Sequence, residues 1–257
     1  MKSSELEKIT WKSVNNRNIK IALLPWGATE AHNLHLPYGT DTLLAEKVAM
    51  EAAEIANQSN AGAIVLPSIA YGVNSGQMDI KLCLNMRPST QMAILDDILT
   101  DLNKHSINKL VIINAHGGNS FVPIIREMSL KYPTIMICNI NWWLVCKPEN
   151  YFDEPGDHAG ELETSVMQYI YPDLVLPLEE AGTGEENQFT IEGLKDKWAW
   201  TPRKWIYATT DTGVGNPSKS TPDKGEKFFN DCVNKISKFI IEFSSVNSEK
   251  NLYEKRK

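Results

Sequence analysis

IKIALLPW, residues 19–26, is a short apolar run with β-branched side chains, and a glycine follows it. Runs of this length and composition are typical of a strand that is buried on both faces. Three similar runs follow along the chain: AIVLPSI (63–69), KLVIIN (109–114) and TIMICNI (134–140). Four such strands predict a sheet that is covered on both sides.

Segments with helical periodicity lie between and after the predicted strands. One begins at Asp41 with Thr40 as its cap, and its apolar residues recur at three- and four-residue intervals. The others run from about Ser89 to Lys104, from the HGGN motif to about Lys131, from about Ala159 to Ile170, and onward from Thr221 and Pro222. This alternation predicts an α/β fold with a mainly parallel sheet, in one domain over residues 1–257 with a polar tail at 244–257.

The composition excludes several classes of protein. The chain has 257 residues, with 26 basic and 32 acidic side chains and a formal charge of -6. This balance argues against a nucleic-acid partner, because binding to a phosphate backbone requires a basic surface. No apolar run approaches the roughly 18 residues of a membrane-spanning helix, and the start of the chain lacks a signal-peptide core. We therefore expect a cytoplasmic protein with reduced cysteines and no membrane partner.

A cluster of polar residues follows the first strand, where Glu30, His32, His35 and Asp41 fall within twelve residues. Side chains i and i+2 of an extended segment point the same way, so Glu30 and His32 can converge on one point. Carboxylates mixed with imidazoles suit a Zn, Mn or Fe ion in a hydrolytic site. The alternative is a polar loop in which Asp41 only stabilises the N-terminus of the next helix. The density of ligand types favours the metal site.

The NAHGGN motif (114–119) comes directly after the third strand. His116 leaves the strand end, and Gly117 and Gly118 expose their amides at the predicted start of a helix, where amides bind an anion or an oxyanion. A glycine pair is also typical of a simple tight turn. Because the first and third strands are expected to lie close together and both end near a histidine, the motif favours a functional site.

DHAGELETS (157–165) opens another predicted helix and contains two glutamates. On a helical wheel Glu163 lies within the apolar face, and Glu161 lies nearly opposite it. A carboxylate on an apolar face requires a partner or a metal ion, so Glu163 is the functional candidate and Glu161 is expected to be solvated. His158 precedes the helix, whose dipole keeps an imidazole neutral, and is predicted to be a general base or proton shuttle. The alternative is that His158 only caps or positions the helix.

These motifs, GATEAHNLHLPYGTD (27–41), NAHGGN and DHAGELETS, together with TGVGNPSKSTPDKG (212–225), resemble the creatininase family of metal-dependent amidohydrolases. They occur in the family's order and span nearly the whole chain. The resemblance implies a three-layer α/β/α fold and a site for two divalent metal ions. It also implies hydrolysis of a small, often cyclic, amide and frequent assembly into a homohexamer.

The resemblance further implies a role for each matching residue. Glu30 and His116 match the ligands of one metal ion, and His32 matches a ligand of the other. Asp41 matches the bridge between the two ions, which in such sites lie roughly 3.5 to 4 Å apart. His158 matches the histidine that acts as proton shuttle.

Other positions depart from the family pattern or lack a metal role in it. His35 matches a family position that is not a ligand, and we expect it to support the loop through hydrogen bonds. Creatinine-hydrolysing members carry a metal-binding glutamate where this chain has Gly118, and Glu163 is our candidate for the missing carboxylate. Asn33 and Leu34 replace the usual Gly-Pro, and CLNMRPST stands where FPGT is usual, which predicts a changed pocket wall.

The predicted substrate contacts are Gly117, Gly118, Asn119 and Trp143. Trp142 and Trp143 follow the fourth strand, and a tryptophan there is expected to form a lid over a flat ring. Tryptophan is also an ordinary core and interface residue, which is the alternative for this pair. A second group of tryptophans, Trp198, Trp200 and Trp205, predicts an oligomer contact or the rim of a pocket.

The sequence thus predicts a hydrolase that uses two divalent metal ions to cleave a C–N bond in a small, cyclic amide, with a small-molecule substrate and a homo-oligomeric assembly. One alternative keeps the metals and changes the substrate to a formamide or a keto-sugar ring. Another is a catalytically silent family member that only binds a metabolite or metal. A nucleotide-binding α/β protein is disfavoured, because the chain lacks a GxGxxG or GxxxxGK[ST] motif.

Overall fold

The computed structural model describes residues 3–254. Within them the sheet has four parallel strands in the order β2-β1-β3-β4, which confirms the predicted parallel sheet. The strands are β1 (Ile21–Trp26), β2 (Ala63–Val65), β3 (Lys109–Asn114) and β4 (Met136–Asn141). β2 ends earlier than the apolar run suggests, and the chain contacts β1 again at Ile69, whose amide donates to the carbonyl of Pro25 at 3.0 Å.

Helices cover the sheet on both sides. Among the described residues the α-helices are α1 (Trp11–Asn15), α2 (Thr40–Gln58), α3 (Pro88–Lys104), α4 (Phe121–Lys131), α5 (Glu161–Ile170), α6 (Glu192–Lys195), α7 (Trp205–Ala208) and α8 (Pro222–Ser245). The predicted cap of α8 is confirmed, since Thr221 Oγ1 accepts the amide proton of Lys224 at 3.3 Å. Thr40 is not a cap but the first residue of α2, and its hydroxyl donates to the carbonyl of Pro37 at 2.7 Å.

Two hydrophobic cores lie on the two faces of the sheet. Side chains alternate along β1, so Ile21 and Leu23 pack with α2, α5 and α8, while Ala22 and Leu24 pack with α3 and α4. This arrangement is the expected three-layer α/β/α fold. It also explains why β1 and β3 read as continuous apolar runs, since every side chain in both strands is buried.

The carboxyl ends of β1 and β3 lie side by side, with Trp26 paired to Asn114. The loops that follow these strands therefore start from the same edge of the sheet. Parallel sheets bind their ligands at this edge.

The segment after β3 differs from the prediction. α4 begins at Phe121, because His116 to Asn119 first close a turn in which the amide of Asn119 donates to the carbonyl of His116 at 3.2 Å. The predicted placement of Gly117 and Gly118 at a helix N-terminus is therefore wrong. Their amides belong to the turn that precedes the helix.

Glu161 was expected to be solvated, and that expectation is wrong. Its side chain is fully buried and accepts hydrogen bonds from Lys224 Nζ at 2.5 Å and from the amide of Glu154 at 2.8 Å. The helical wheel identified only the apolar face of α5. The opposite face is covered as well, by the start of α8 and by the loop before α5.

The end of the chain is partly helical. α8 continues to Ser245, so the first residues of the predicted polar tail belong to a helix in which Ser244 is buried. Residues 255–257 lie outside the described residues. No helix between residues 3 and 254 is both long and apolar enough to cross a bilayer.

Candidate metal centre

Gly27 lets the loop after β1 approach the start of α2. A Cβ atom on Gly27 would lie 2.4 Å from the backbone nitrogen of Thr42, a distance that no side chain tolerates. The close approach brings Asp41, in the first turn of α2, next to Glu30 in the loop. Both carboxylates are buried, with only 1% of each residue exposed.

Two of the groups of potential metal ligands share Asp41, and a third at the same site joins His158 to Glu30 and His32. Glu30, Asp41 and His116 make one group, and His32, Asp41 and Glu163 make the other, with the ligand atoms of each group within 4.8 Å of one another. Asp41 Oδ1 lies 3.0 Å from His32 Nε2, and Asp41 Oδ2 lies 3.1 Å from His116 Nδ1. The structure therefore brings together every residue predicted to bind metal, with Asp41 in the central position.

Backbone carbonyls orient the two imidazoles of these groups. His32 Nδ1 lies 3.1 Å from the carbonyl oxygen of Glu30, and His116 Nε2 lies 3.1 Å from that of Val73. A carbonyl only accepts hydrogen bonds, so these ring nitrogens carry the protons and donate them. The opposite nitrogens, His32 Nε2 and His116 Nδ1, face the carboxylates and can bind a metal ion once it displaces the protons that they carry.

The donor set fits two divalent cations. Asp41 Oδ2 is buried and accepts no hydrogen bond from the described residues, although His116 Nδ1 lies 3.1 Å away. Buried carboxylate oxygens of this kind require a cation or a donor. The remaining ligands are imidazoles and carboxylates without a thiolate, the combination that Zn and Mn accept in hydrolytic sites.

When no cation is bound, protons on His32 and His116 compensate the negative charge of the carboxylates. Burial opposes a charge on His32, but the neighbouring Asp41 carboxylate outweighs it and raises the pKa of His32 to about 10. Burial likewise opposes a charge on His116, and the carboxylates of Glu30 and Asp41 raise its pKa well above its usual value. Burial alone would raise the pKa of Asp41, yet His32 and His116 hold it far below its usual range. The site is therefore built for positive charge.

Glu163 lies at the second group, on the first turn of α5. Its Oε2 accepts the amide proton of Ala159 at 2.5 Å, and Ala159 adopts the left-handed conformation (φ 51°) that presents this amide. Burial raises the pKa of Glu163 to about 7, with Asp41 adding to the increase and His32 opposing it. A nearby cation would restore the ionised form.

Gly118 cannot carry the metal-binding glutamate that the family resemblance leads one to expect there. A Cβ atom on Gly118 would lie 2.3 Å from the carbonyl oxygen of Val73 and 2.4 Å from His116 Nε2. The backbone after β3 therefore leaves no room for a side chain. Glu163 is the carboxylate that stands beside His32 and Asp41 instead.

His158 lies in the loop before α5, and its side chain is close to Glu30 and His32. Its Nε2 donates to the carbonyl oxygen of Ala31 at 2.8 Å, which leaves Nδ1 unprotonated and 3.8 Å from Glu30 Oε1. The ring lies 4.1 Å from that of His32, centroid to centroid. Burial, together with the charge of His32, lowers the pKa of His158 to about 4. His158 is thus a neutral imidazole with a free lone pair directed at the site.

His35 supports the loop from behind. Its Nε2 lies 2.8 Å from Thr164 Oγ1 in α5, and its carbonyl accepts the amide proton of Leu176 at 2.9 Å. Burial and the charge of His32 lower the pKa of His35 to about 4. The first bond ties the loop after β1 to α5, and the second ties it to the segment that follows α5.

The predicted substrate residues have different surroundings. Gly117 is exposed, with open space around it. Asn119 is buried: its Oδ1 accepts from the amide of Val73 and from Gln91 Nε2, and its Nδ2 donates to Asn114 Oδ1. Its substrate contact stays a prediction.

The two tryptophans after β4 differ as well. Trp142 is buried in the core against Phe228, so it is not a lid. Trp143 is half-buried against the same core, and its substrate contact stays a prediction.

The sequence did not reveal Trp205 and Gln77 as site residues. The indole of Trp205 lies 4.8 Å from the ring of His158, and Gln77 donates to Glu30 Oε2. Gln77 lies in a loop and Trp205 begins the short helix α7, and neither segment has periodicity or a recognised motif that would mark it. Trp205 was expected at a pocket rim or an oligomer contact, and it is buried beside His158.

Known proteins are similar to this chain in sequence. A family model described as creatinine amidohydrolase matches residues 7–240. A creatinine amidohydrolase from Pseudomonas putida is 29% identical over 200 residues, which cover 68% of this chain and 74% of that protein. A mycofactocin precursor peptide peptidase from Mycolicibacterium smegmatis is 28% identical over 218 residues, which cover 84% of this chain and 82% of that protein.

Solved structures share the fold. A provisionally assigned creatinine amidohydrolase from Bacteroides fragilis NCTC 9343 is 42% identical with a TM-score of 0.93, and the match covers 99% of this chain and 100% of that one. A creatininase with Mn is 25% identical with a TM-score of 0.79, covering 95% of this chain and 100% of that one. The sequence match and the fold agree over nearly the whole length. The chain belongs to the creatininase family.

Proposed function

We propose that this protein is a divalent-metal-dependent amidohydrolase that cleaves the C–N bond of a small, cyclic amide. The observation that carries the proposal is the position of Asp41, whose two carboxylate oxygens face two different imidazoles at 3.0 and 3.1 Å. A shared carboxylate of this kind is the usual centre of a two-metal hydrolytic site. The relatives named above are hydrolases of C–N bonds, creatinine amidohydrolase and a peptide peptidase.

The ligands divide between two ions around Asp41. Glu30 and His116 would hold one ion, and His32 and Glu163 would hold the other. When bound, divalent cations at such a site polarise a carbonyl group and lower the pKa of water. Zn and Mn both suit these ligands, and a related creatininase structure contains Mn.

His158 is suited to carry the proton. Its Nδ1 has a free lone pair within 3.8 Å of Glu30 Oε1, and its Nε2 is fixed by the carbonyl of Ala31. This nitrogen can accept a proton from the attacking water and deliver it to the leaving nitrogen of the amide. The low pKa of the imidazole keeps it unprotonated at neutral pH, ready for the first of these transfers.

A small substrate fits the surroundings of the ligands. Glu30, His32, Asp41, His116 and His158 are all more than 90% buried, so only a compact group can reach them. Gly117 and Gly118 are exposed beside His116 and present backbone without side chains. The proposed amide would lie over this glycine turn, with Trp143 as a candidate wall.

Metal analysis and a substrate panel test the proposal. Wild-type protein should contain up to two Zn or Mn ions per chain and lose them in Asp41→Ala, whereas His158→Ala should keep the metal and lose activity. Creatinine, a formylated pyrimidine, a short peptide amide and a keto-inositol should be assayed side by side. Metal-dependent turnover of a cyclic amide supports the proposal. Turnover of the keto-inositol alone, or bound metal without turnover of any C–N substrate, contradicts it.

Assembly into a homo-oligomer is part of the proposal. Trp198 and Trp200 follow α6 and expose 77% and 84% of their surface. Exposure of this extent is unusual for large aromatic side chains in a monomer. Light scattering coupled to size exclusion measures the mass directly. A monomer at micromolar concentration would contradict this part of the proposal.

A further inference from the structure

Gln77 is a buried amide that contacts a predicted metal ligand from behind. Only 2% of the residue is exposed, and its Nε2 donates to Glu30 Oε2. Its Oε1 accepts from the thiol of Cys83 at 3.2 Å, and Cys83 Sγ accepts the amide proton of Ala31 at the same distance. A chain of hydrogen bonds therefore runs from the backbone beside Glu30, through a thiol and an amide, to the Glu30 carboxylate.

The thiol determines which end of the amide faces Glu30. An ionised carboxylate only accepts hydrogen bonds, so it requires the NH₂ end of Gln77. Cys83 holds the other end, because its S–H donates to Oε1 while its sulfur receives the amide of Ala31. Reversal of the amide would set two acceptors against each other on the Glu30 side.

The two oxygens of Glu30 have different surroundings. Oε1 lies 2.8 Å from His116 Nδ1, 3.8 Å from His158 Nδ1 and 4.0 Å from His32 Nε2. Oε2 receives the amide of Gln77. One oxygen therefore faces the candidate metal ligands, and the other is held by the protein.

We propose that Gln77 and Cys83 are positioning residues that keep Glu30 a one-oxygen ligand, with Oε1 presented to the ion that Asp41 and His116 share. The inference rests on the proposed metal-dependent function and extends it to two residues outside the ligand set. Hydrogen bonds to a ligating carboxylate fix its orientation, and the loss of such partners typically costs about 10- to 100-fold in metal affinity.

A titration with Mn²⁺ tests the inference without any substrate. The electron paramagnetic resonance signal of free Mn²⁺ measures the unbound ion for wild type, Gln77→Ala, Cys83→Ala and Cys83→Ser. We expect about 10- to 100-fold weaker binding of one ion in Gln77→Ala and a smaller loss in Cys83→Ala. Cys83→Ser should restore wild-type affinity, since a hydroxyl also donates to Gln77. Cys138→Ala removes a half-buried thiol away from the site and should bind as wild type does.

The visible spectrum of bound Co²⁺ distinguishes a change in how Glu30 binds the ion from a general loss of order in the site. With Co²⁺ in place of Mn²⁺, Gln77→Ala should show a weaker visible absorption, because a freed Oε2 adds to the coordination number. Cys138→Ala should leave the spectrum unchanged.

Each outcome of these experiments supports or overturns the inference. Unchanged Mn²⁺ affinity and an unchanged Co²⁺ spectrum in Gln77→Ala overturn it while leaving the metal-dependent function intact. A wild-type protein that binds no Mn²⁺, Zn²⁺ or Co²⁺ overturns the proposed function and the inference together. Where Gln77→Ala does not fold, the comparison of Cys83→Ala with Cys83→Ser decides, and equal affinities in those two variants contradict the inference.

Discussion

The imidazole of His158 lies against the indole of Trp205, with the ring centroids 4.8 Å apart and the planes at 69°. The guanidinium of Arg203 lies 4.3 Å from the centre of the same indole. Arg203 is itself held by Glu186 at 2.5 Å and by Asp157 at 3.1 Å. The first residue of α7 therefore packs against the imidazole that is proposed to carry the proton.

Loss of this stack should slow catalysis without removing the metal. We expect Trp205→Ala to lower kcat by about 10- to 100-fold, because the His158 ring gains freedom to leave its productive position. Trp205→Phe keeps an aromatic face and should retain most of the activity. Steady-state kinetics on the metal-loaded enzyme, with metal content measured on the same samples, gives both quantities.

Trp11→Ala is the matched control for this prediction. Trp11 is 81% exposed, so the same substitution there removes an indole that does not pack on His158. Equal kcat values for the Trp11→Ala and Trp205→Ala enzymes would contradict the role of the stack. Loss of metal in Trp205→Ala would show that the indole supports metal binding and not proton transfer.

The sequence predicted the parts of the molecule that follow from local patterns. β1 and β3 are apolar runs because both of their faces are buried, and the position of the site after them follows from the rule for parallel sheets. The sequence also predicts Glu30, His32, Asp41 and His116 as site residues, since potential ligands are concentrated in short motifs at the strand ends.

Residues placed by tertiary contacts could not be predicted in this way. The helical wheel assigned Glu161 to solvent because it describes one helix alone, whereas Lys224 of α8 covers that side of α5. Trp205 reaches His158 from a segment without periodicity, and Gln77 reaches Glu30 from a glycine-rich loop. Their positions depend on how loops close over the sheet edge, which local periodicity does not encode.

Metal binding should release protons. The Asp41 carboxylate overcomes the effect of burial and raises the pKa of His32 to about 10, so His32 is protonated at neutral pH when no ion is bound. A cation and a proton compete for Nε2, and binding therefore displaces the proton. Apparent affinity should increase as pH rises from 7 toward 9, and calorimetry in two buffers of different ionisation enthalpy should detect about one proton released for the ion at His32. Affinity that is independent of pH would contradict the assigned ligand atom.

Substitution of Glu161 should affect stability and substitution of Glu163 should affect metal binding, although only one residue lies between them. Glu161→Gln weakens the buried contact with Lys224 and should lower the free energy of unfolding by about 1–3 kcal/mol, with metal content unchanged. Glu163→Gln should reduce metal content and leave the stability of the metal-free protein near that of wild type, since it removes one of three crowded carboxylates. Chemical denaturation with and without chelator, beside elemental analysis, measures both effects. The same phenotype in both variants would contradict the separate roles of Glu161 in stability and Glu163 in metal binding.

The two glycines after β3 should respond differently to the same added methyl group. A Cβ on Gly118 would lie 2.4 Å from His116 Nε2 and 2.3 Å from the carbonyl oxygen of Val73, so Gly118→Ala must displace the imidazole or the carbonyl that orients it. We expect metal affinity to fall by about tenfold or more, as when a partner of a ligating histidine is lost. Gly117 has open space around it, so Gly117→Ala should bind metal as wild type does and serves as the control. Mn²⁺ titration of both variants tests this, and tight binding by Gly118→Ala would mean that the turn yields more easily than its contacts with Val73 and His116 imply.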